Sequence, residues 1–163
     1  MAPSASRRKV AKDLVQAYLR AVDDAEGTHA YASLLGIKDF DAASLQARIQ
    51  EGFSFTSLSY LSEAMGLSLQ ATGELLLISS RSLQRRKTEG RLHADESDRL
   101  LRLSRVFGRA IQLFEGDQGA AVNWMKEPLP ALGHVSPLEM SKTGPGTLEV
   151  ERLIGRLEHG VFS

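Results

Sequence analysis

The sequence predicts an all-α protein in two parts: an amino-terminal helical region containing a helix-turn-helix, then a small helical carboxy-terminal domain. Three observations carry this. Apolar residues recur at three- and four-residue spacing along most of the chain, and little of it alternates as a half-buried strand requires. Just before and after residue 78, two short helical patterns meet in a tight turn, and the second bears a cationic face. Beyond residue 115 the pattern is interrupted by Pro128, Pro130, Gly133 and Pro137, and again by Thr143-Gly-Pro-Gly146, which sets the last part of the chain apart.

Composition fits that class. With 163 residues, 42% hydrophobic and 25% charged, the chain has the balance of an ordinary globular protein, long enough for one domain or two small ones. There is no cysteine, so disulfides and thiolate metal sites are excluded. The basic amino terminus lacks the apolar core of a secretory signal, and no apolar run approaches the length of a membrane span. A cytoplasmic protein is expected.

The net charge of zero conceals a segregation. Residues 81–109 carry nine Lys/Arg against four Asp/Glu, a net +5, between flanks of −2 and −3. Such a block is either a solvated helix face or a footprint for a polyanion.

Taken in order, Leu14, Tyr18, Ala21 and Val22 share one face of a first helix, expected to fray into a basic, mobile leader before Val10. A second helix starts at Asp41, a good N-cap, and runs through Leu45 and Ile49 to Gly52. Leu58, Leu61 and Met65 line a third. A short helix over about 68–77 then leads into ISSRSLQRRKTEG, where Ser79 and Ser80 can satisfy amides of a new first turn and Gly90 can end it.

With Leu83 toward the core, a step of 100° per residue groups Arg81, Gln84, Arg85 and Thr88 on the opposite face at i, i+3, i+4, i+7. Arg pairs with guanine, Gln with adenine, and the same cations neutralise phosphates, so this face suits the major groove. Ser82, Arg86, Lys87 and Arg91 complete the candidate DNA-binding set; Arg86 and Lys87 flank Leu83, either as phosphate contacts or as rim residues with buried stems. Gly73 stands where the preceding helix must let the second approach, and Leu76, Ile78 and Leu83 hold the packing positions. Two positions depart from the usual pattern: Leu77 occupies the turn position where glycine is commonest, and Arg86 falls where an apolar residue is usual.

A long supporting helix follows, with Leu100, Leu103, Phe107, Ala110, Ile111 and Phe114 as a continuous stripe. Arg99, Arg102, Arg105 and Arg109 run along or beside its polar side, where they either extend the basic surface or pair at i, i+4. A short helix then carries Trp124 and Met125. The final helix has Val150, Leu153, Ile154 and Leu157 on one face, ends near Gly160, and is followed by apolar Val161 and Phe162.

The string from AAVNW at 120–124 through EPLPALGHVSPLEM at 127–140 to VERLIGRLEHGVF at 150–162 resembles the C-terminal toxin-binding domain of the Xre/MbcA/ParS antitoxins. Its motif is a Trp, a spaced Pro, Leu-Gly, Pro-Leu and a closing Val-x-x-Leu helix ending at Gly. Upstream, ISSRSLQRR and LHADESDRLLRL are similar to the Xre-like helix-turn-helix of the same family. His134 stands where a second Gly is common, which asks more of that turn's backbone.

The resemblance covers about residues 45–163 and implies a helix-turn-helix domain over 41–114 and a toxin-binding domain over 115–163; residues 1–40, which it does not reach, are expected to form an amino-terminal helical extension. It further implies a type II antitoxin whose partner is a RES-domain toxin that consumes NAD⁺. Such an antitoxin covers the toxin's active-site entrance and represses its own operon, most simply as a homodimer on operator DNA. Candidate toxin contacts are Trp124, Pro137, Leu138, Arg156, Glu158, His159, Gly160, Val161 and Phe162. Trp124 and the stripe of the last helix are alternatively core residues.

No catalytic signature is found. His29, His93, His134 and His159 lack metal spacing, no phosphate loop, HExxH or GxSxG is present, and neither enzyme activity nor a cofactor is expected. The competing reading is a protein-interaction module whose helix-turn-helix packs or dimerises without touching DNA.

Overall fold

The computed structural model describes residues 4–24, 29–38 and 41–160. Among them there are nine α-helices and no strand; pairing is confined to isolated bridges between Ser54 and Arg91 and between Leu129 and Val135. Two compact units divide the chain at residues 104/105, inside one long helix.

In the first unit, α1 (Ala5–Asp23) begins well before Val10, contrary to the fraying expected there, because the Ser4 hydroxyl accepts the Arg7 amide. Its buried face is Ala11, Val15 and Tyr18; Leu14, Ala21 and Val22 are only half-buried. That face packs on α3 (Phe55–Ala64) and on a 3-10 turn over Ala30–Leu35. The turn went unnoticed in sequence because six residues are too few to show a period. Yet Ala30, Ala32, Leu34 and Leu35 are almost fully buried. Asp41 caps α2 (Ala42–Glu51) through the Ser44 amide at 2.8 Å, as expected.

Among the described residues, every buried hydroxyl of this unit has a hydrogen-bond partner, as a low-dielectric interior demands. Ser57 Oγ donates to the Leu35 carbonyl, and Ser62 Oγ bonds Thr72 Oγ1 across α3 and α4 (Leu69–Leu75), both at 2.8 Å. Gly73 lies on α4 against Leu83 of α5 (Ser80–Glu89): a Cβ at Gly73 would stand 3.1 Å from the Leu83 side chain. The small residue thus sets how closely the two helices approach. Between them Leu77 has φ 58°, the left-handed conformation that disfavours a branched side chain.

The second unit begins within α6 (Ala94–Leu113), whose Val106, Phe107, Ala110 and Ile111 are fully buried. After α7 (Gln118–Lys126) the chain makes the turn flagged by the prolines. Gly133 and His134 are both left-handed, with φ 68° and 64°, so the turn does force a histidine into glycine's conformation. Then come α8 (Pro137–Met140) and α9 (Gly144–Glu158). Gly146 is obligatory at their junction, since any Cβ there would collide with the Met140 carbonyl. Val150, Leu153 and Ile154 are buried and Leu157 is half-buried, so the final helix does pack by its predicted stripe. Arg105 pairs with Glu151, and Arg109 donates to the Glu151 carbonyl and to Glu158, fastening α9 to this part of α6. No described helix is long and apolar enough to cross a membrane.

Candidate functional site

The candidate reading helix, α5, is defined at both ends. Ser79 is its N-cap, accepting the Ser82 amide at 3.2 Å, and Gly90 closes it in the left-handed conformation. Gln70 of α4 donates to Ser80 Oγ at 2.7 Å and ties the start of α5 to the preceding helix. Leu83 faces inward, 8% exposed, and burying a leucine stabilises by roughly 2 kcal/mol. Directly opposite, Arg81, Gln84, Arg85 and Thr88 are all exposed, as is Lys87. The Thr88 hydroxyl donates to the Gln84 carbonyl at 3.2 Å. Ser82 is half-buried.

Arg86 requires a correction. Although placed among the DNA contacts by its sequence position, it is 5% exposed and points into the unit. Its Nε donates to Glu96 Oε2 at 2.8 Å and its Nη2 to Glu96 Oε1 at 2.9 Å, a two-pronged pair with a carboxylate that is also 5% exposed. Nη2 further lies 3.1 Å from His93 Nδ1, which must accept because a guanidinium has only donors. Glu96 in turn accepts the His93 amide at 2.8 Å, the capping-box contact that starts α6.

Burial pushes the Glu96 carboxyl up, but hydrogen bonds from Arg86 and from the His93 amide outweigh it and hold the group below the usual carboxylate range. The Arg86 guanidinium is correspondingly stabilised in its charged form, first by the hydrogen bond to Glu96. A buried ion pair of this kind contributes position more than stability. It locks α5 to the amino terminus of α6. Ser97 extends the lock, donating to the His93 carbonyl and accepting the Phe53 amide, each at 2.8 Å. Arg86 therefore orients the helix that Arg81 and Arg85 decorate.

Arg91 also lies away from the reading face. It is exposed, but its Nη1 donates to the carbonyls of Glu51 and Gly52 at 3.3 and 3.1 Å. There it lines a cleft of about 560 Å³ together with Lys38, Arg48 and Tyr60. The arginines of α6 do not extend the basic surface either. Arg99 donates to the Leu76 carbonyl at 2.7 Å and to Asp95, and Arg102 stands 3.5 Å from Asp98.

In the second unit, the predicted toxin-binding residues divide. Trp124 is half-buried, its ring tilted 57° against the half-buried Phe114 at a centroid distance of 6.3 Å. Pro137 and Leu138 are buried and are withdrawn as surface contacts: they form the first turn of α8 beneath its Ser136 cap. Arg156 is half-buried, whereas Glu158, His159 and Gly160 are exposed at the end of α9. Glu158 is engaged by Arg109 at 3.3 Å. Val161 and Phe162 lie outside the described residues.

Two exposed apolar side chains went unpredicted here, Val135 at 37% and Leu148 at 46% exposure. Leu148 carried a readable signal, because at 100° per residue it falls opposite the Val150, Leu153, Ile154 stripe. Val135 carried none, since its exposure depends on the conformation of the Gly133-His134 turn.

The fold and these faces together define a helical protein with a helix-turn-helix unit followed by a separate small domain. Residues 44–105 match the model of the Antitoxin Xre-like helix-turn-helix domain, and residues 109–160 match that of the Antitoxin Xre/MbcA/ParS C-terminal toxin-binding domain. The chain is 53% identical over 96 residues to an Antitoxin Xre of Yersinia enterocolitica, covering 58% of this chain and 62% of that protein. It is 38% identical over 133 residues to an Antitoxin Xre of Photorhabdus laumondii, covering 79% and 88%. To an Antitoxin Xre of Pseudomonas putida it is 31% identical over 117 residues, covering 71% and 72%. The chain belongs to the Xre antitoxin family.

Proposed function

We propose that this protein is the antitoxin of a type II toxin-antitoxin system, dividing its work between its two parts. The helix-turn-helix domain, taken as 41–114, binds operator DNA and represses the protein's own operon. The domain taken as 115–163 covers the active-site entrance of a RES-domain toxin that consumes NAD⁺. The protein is itself not an enzyme, acts in the cytoplasm, and reads DNA as a homodimer with half-sites about 34 Å apart.

One observation carries the DNA reading: Arg81, Gln84, Arg85 and Thr88 are exposed together on a capped helix whose back is locked by a buried ion pair. Preorganised donors on a rigid helix are what base-edge recognition needs. Arg81→Ala or Arg85→Ala should weaken operator binding by roughly 1–3 kcal/mol where the side chain meets a base, while neutralisation of the co-expressed toxin persists. Unchanged retardation of the operator fragment by both variants overturns the face assignment. Absence of wild-type binding even at low salt would favour the interaction-module alternative.

For neutralisation, the contacts proposed are Trp124 by its exposed part, Arg156, Glu158, His159 and Gly160, with Val161 and Phe162 beyond them. Exposed Leu148 and Val135 join this set as apolar anchors. Co-expression of the adjacent gene product with Leu148→Asp tests it: toxicity should return. Full protection would remove that face of α9 from the interface.

A further inference from the structure

The matched helix-turn-helix domain begins at residue 44, so α1 lies outside it. Its amino-terminal half carries Arg7, Arg8, Lys9 and Lys12, all exposed, with no acidic residue in the first turn. This is the unfavourable end of a helix for positive charge, because the macrodipole already places partial positive charge there. Among the described residues, the ion pairs are formed by other side chains and engage none of these four. Helix stability therefore does not explain the cluster.

Packing leaves the same end uncovered. Residues 4–9 are all exposed, Val10 is half-buried, and the first buried residue is Ala11. From Ala11 onward, α1 is anchored on α3 and the 3-10 turn, within the unit that also holds α5. The cations stand on a rigid mount.

We propose that the basic end of α1 is a second DNA contact, gripping the phosphate backbone beside the site read by α5 without sequence preference; this rests on the DNA-binding reading above. Residues 5–12 span about 12 Å of helix, a length over which duplex DNA presents on the order of seven phosphates. An acidic protein is the other partner of fitting sign. It is disfavoured because the exposed residues of this end, Ala5, Ser6 and the four cations, include no aromatic or large apolar anchor of the kind that dominates protein interfaces.

The test compares the full-length protein carrying Arg7→Gln, Arg8→Gln, Lys9→Gln and Lys12→Gln with wild type and with an Arg81→Gln, Arg85→Gln variant. Each is titrated on the operator and on a scrambled duplex between about 50 and 200 mM salt. The quadruple variant should flatten the log-affinity against log-salt slope by about 2–4 on both duplexes, about 0.9 per phosphate lost. Its operator preference should stay unchanged and its melting temperature should not fall, since the removed charges opposed the helix dipole. The α5 variant should lose operator preference instead.

A wild-type slope in the quadruple variant overturns the inference while leaving the α5 reading intact. Loss of operator preference with scrambled binding retained overturns it also. If wild type binds neither duplex, the DNA-binding reading itself fails and takes this inference with it. Should the quadruple variant unfold, Arg7→Gln with Lys12→Gln poses the same question at half the slope change.

Discussion

The cations of α5 and of α6 come from one +5 stretch of sequence, yet the two helices use them differently. On α6, Arg99 and Arg102 meet Asp95 and Asp98 one turn earlier, while Arg105 and Arg109 meet Glu151 and Glu158 of α9. On α5, Arg81, Arg85 and Lys87 are exposed and enter none of the ion pairs among the described residues, although Glu89 stands one turn beyond Arg85; only Arg86 turns inward to Glu96. The difference teaches that a charge count marks a region, whereas pairing decides which of its cations remain available.

The sharpest way to break this comparison is to remove the acid that withdraws Arg86. Glu96→Ala leaves a buried guanidinium without its carboxylate and should cost about 3–5 kcal/mol in urea unfolding. A loss under about 1 kcal/mol would mean that the pair does not hold α5. Replacing both partners by apolar residues, Arg86→Met with Glu96→Leu, should recover most of that loss.

The same pair predicts an acid response. Because Glu96 ionises below its ordinary value in the folded protein, its contribution is present above the unfolded carboxylate value near about 4.3 and is lost as pH falls through the folded one. Unfolding midpoints followed from neutral pH downward should drop in that window. Glu96→Gln should show a shallower drop, and parallel curves for the two proteins would contradict the assignment.

A smaller effect is expected at the turn between α4 and α5. Leu77 is left-handed and 59% exposed, so Leu77→Gly relieves strain without opening a core cavity and should stabilise by about 1 kcal/mol. A destabilised variant in thermal unfolding would show that the leucine packs on something in solution. The smallest effect belongs to α6: Arg102→Ala removes a partly exposed i, i+4 pair and should cost only about 0.3–0.5 kcal/mol, with operator affinity untouched. A clear loss of DNA affinity in that variant would return α6 to the basic surface.

Much of the fold was legible before any coordinates. Asp41 and Ser79 as caps, the buried stripes of α6 and α9, and Gly73 under Leu83 follow from local rules of period and capping, and the strain at Leu77 and His134 from the turn and family motifs that usually place glycine there. The 3-10 turn over Ala30–Leu35 was not legible, being too short for a period, and neither was the helical start of α1 at Ala5. Of the candidate DNA face, Arg81, Gln84, Arg85 and Thr88 lie exposed where their spacing put them, and Lys87 is exposed although its spacing placed it beside Leu83. Arg86 is buried against Glu96, Arg91 is exposed but bonded to the Glu51 and Gly52 carbonyls, and of the candidate toxin contacts Pro137 and Leu138 are buried, because each is claimed by a partner distant in sequence or by the core.

The chain by itself determined most of the helices, the caps that bound them and the direction each side chain leaves its helix, because these depend on neighbours within about four residues. Only tertiary structure decided which charges are neutralised and which stay exposed. Glu96 captures Arg86 across ten positions and Glu151 captures Arg105 across forty-six. Coulomb attraction acts on distance in space, and distance along the chain does not report it.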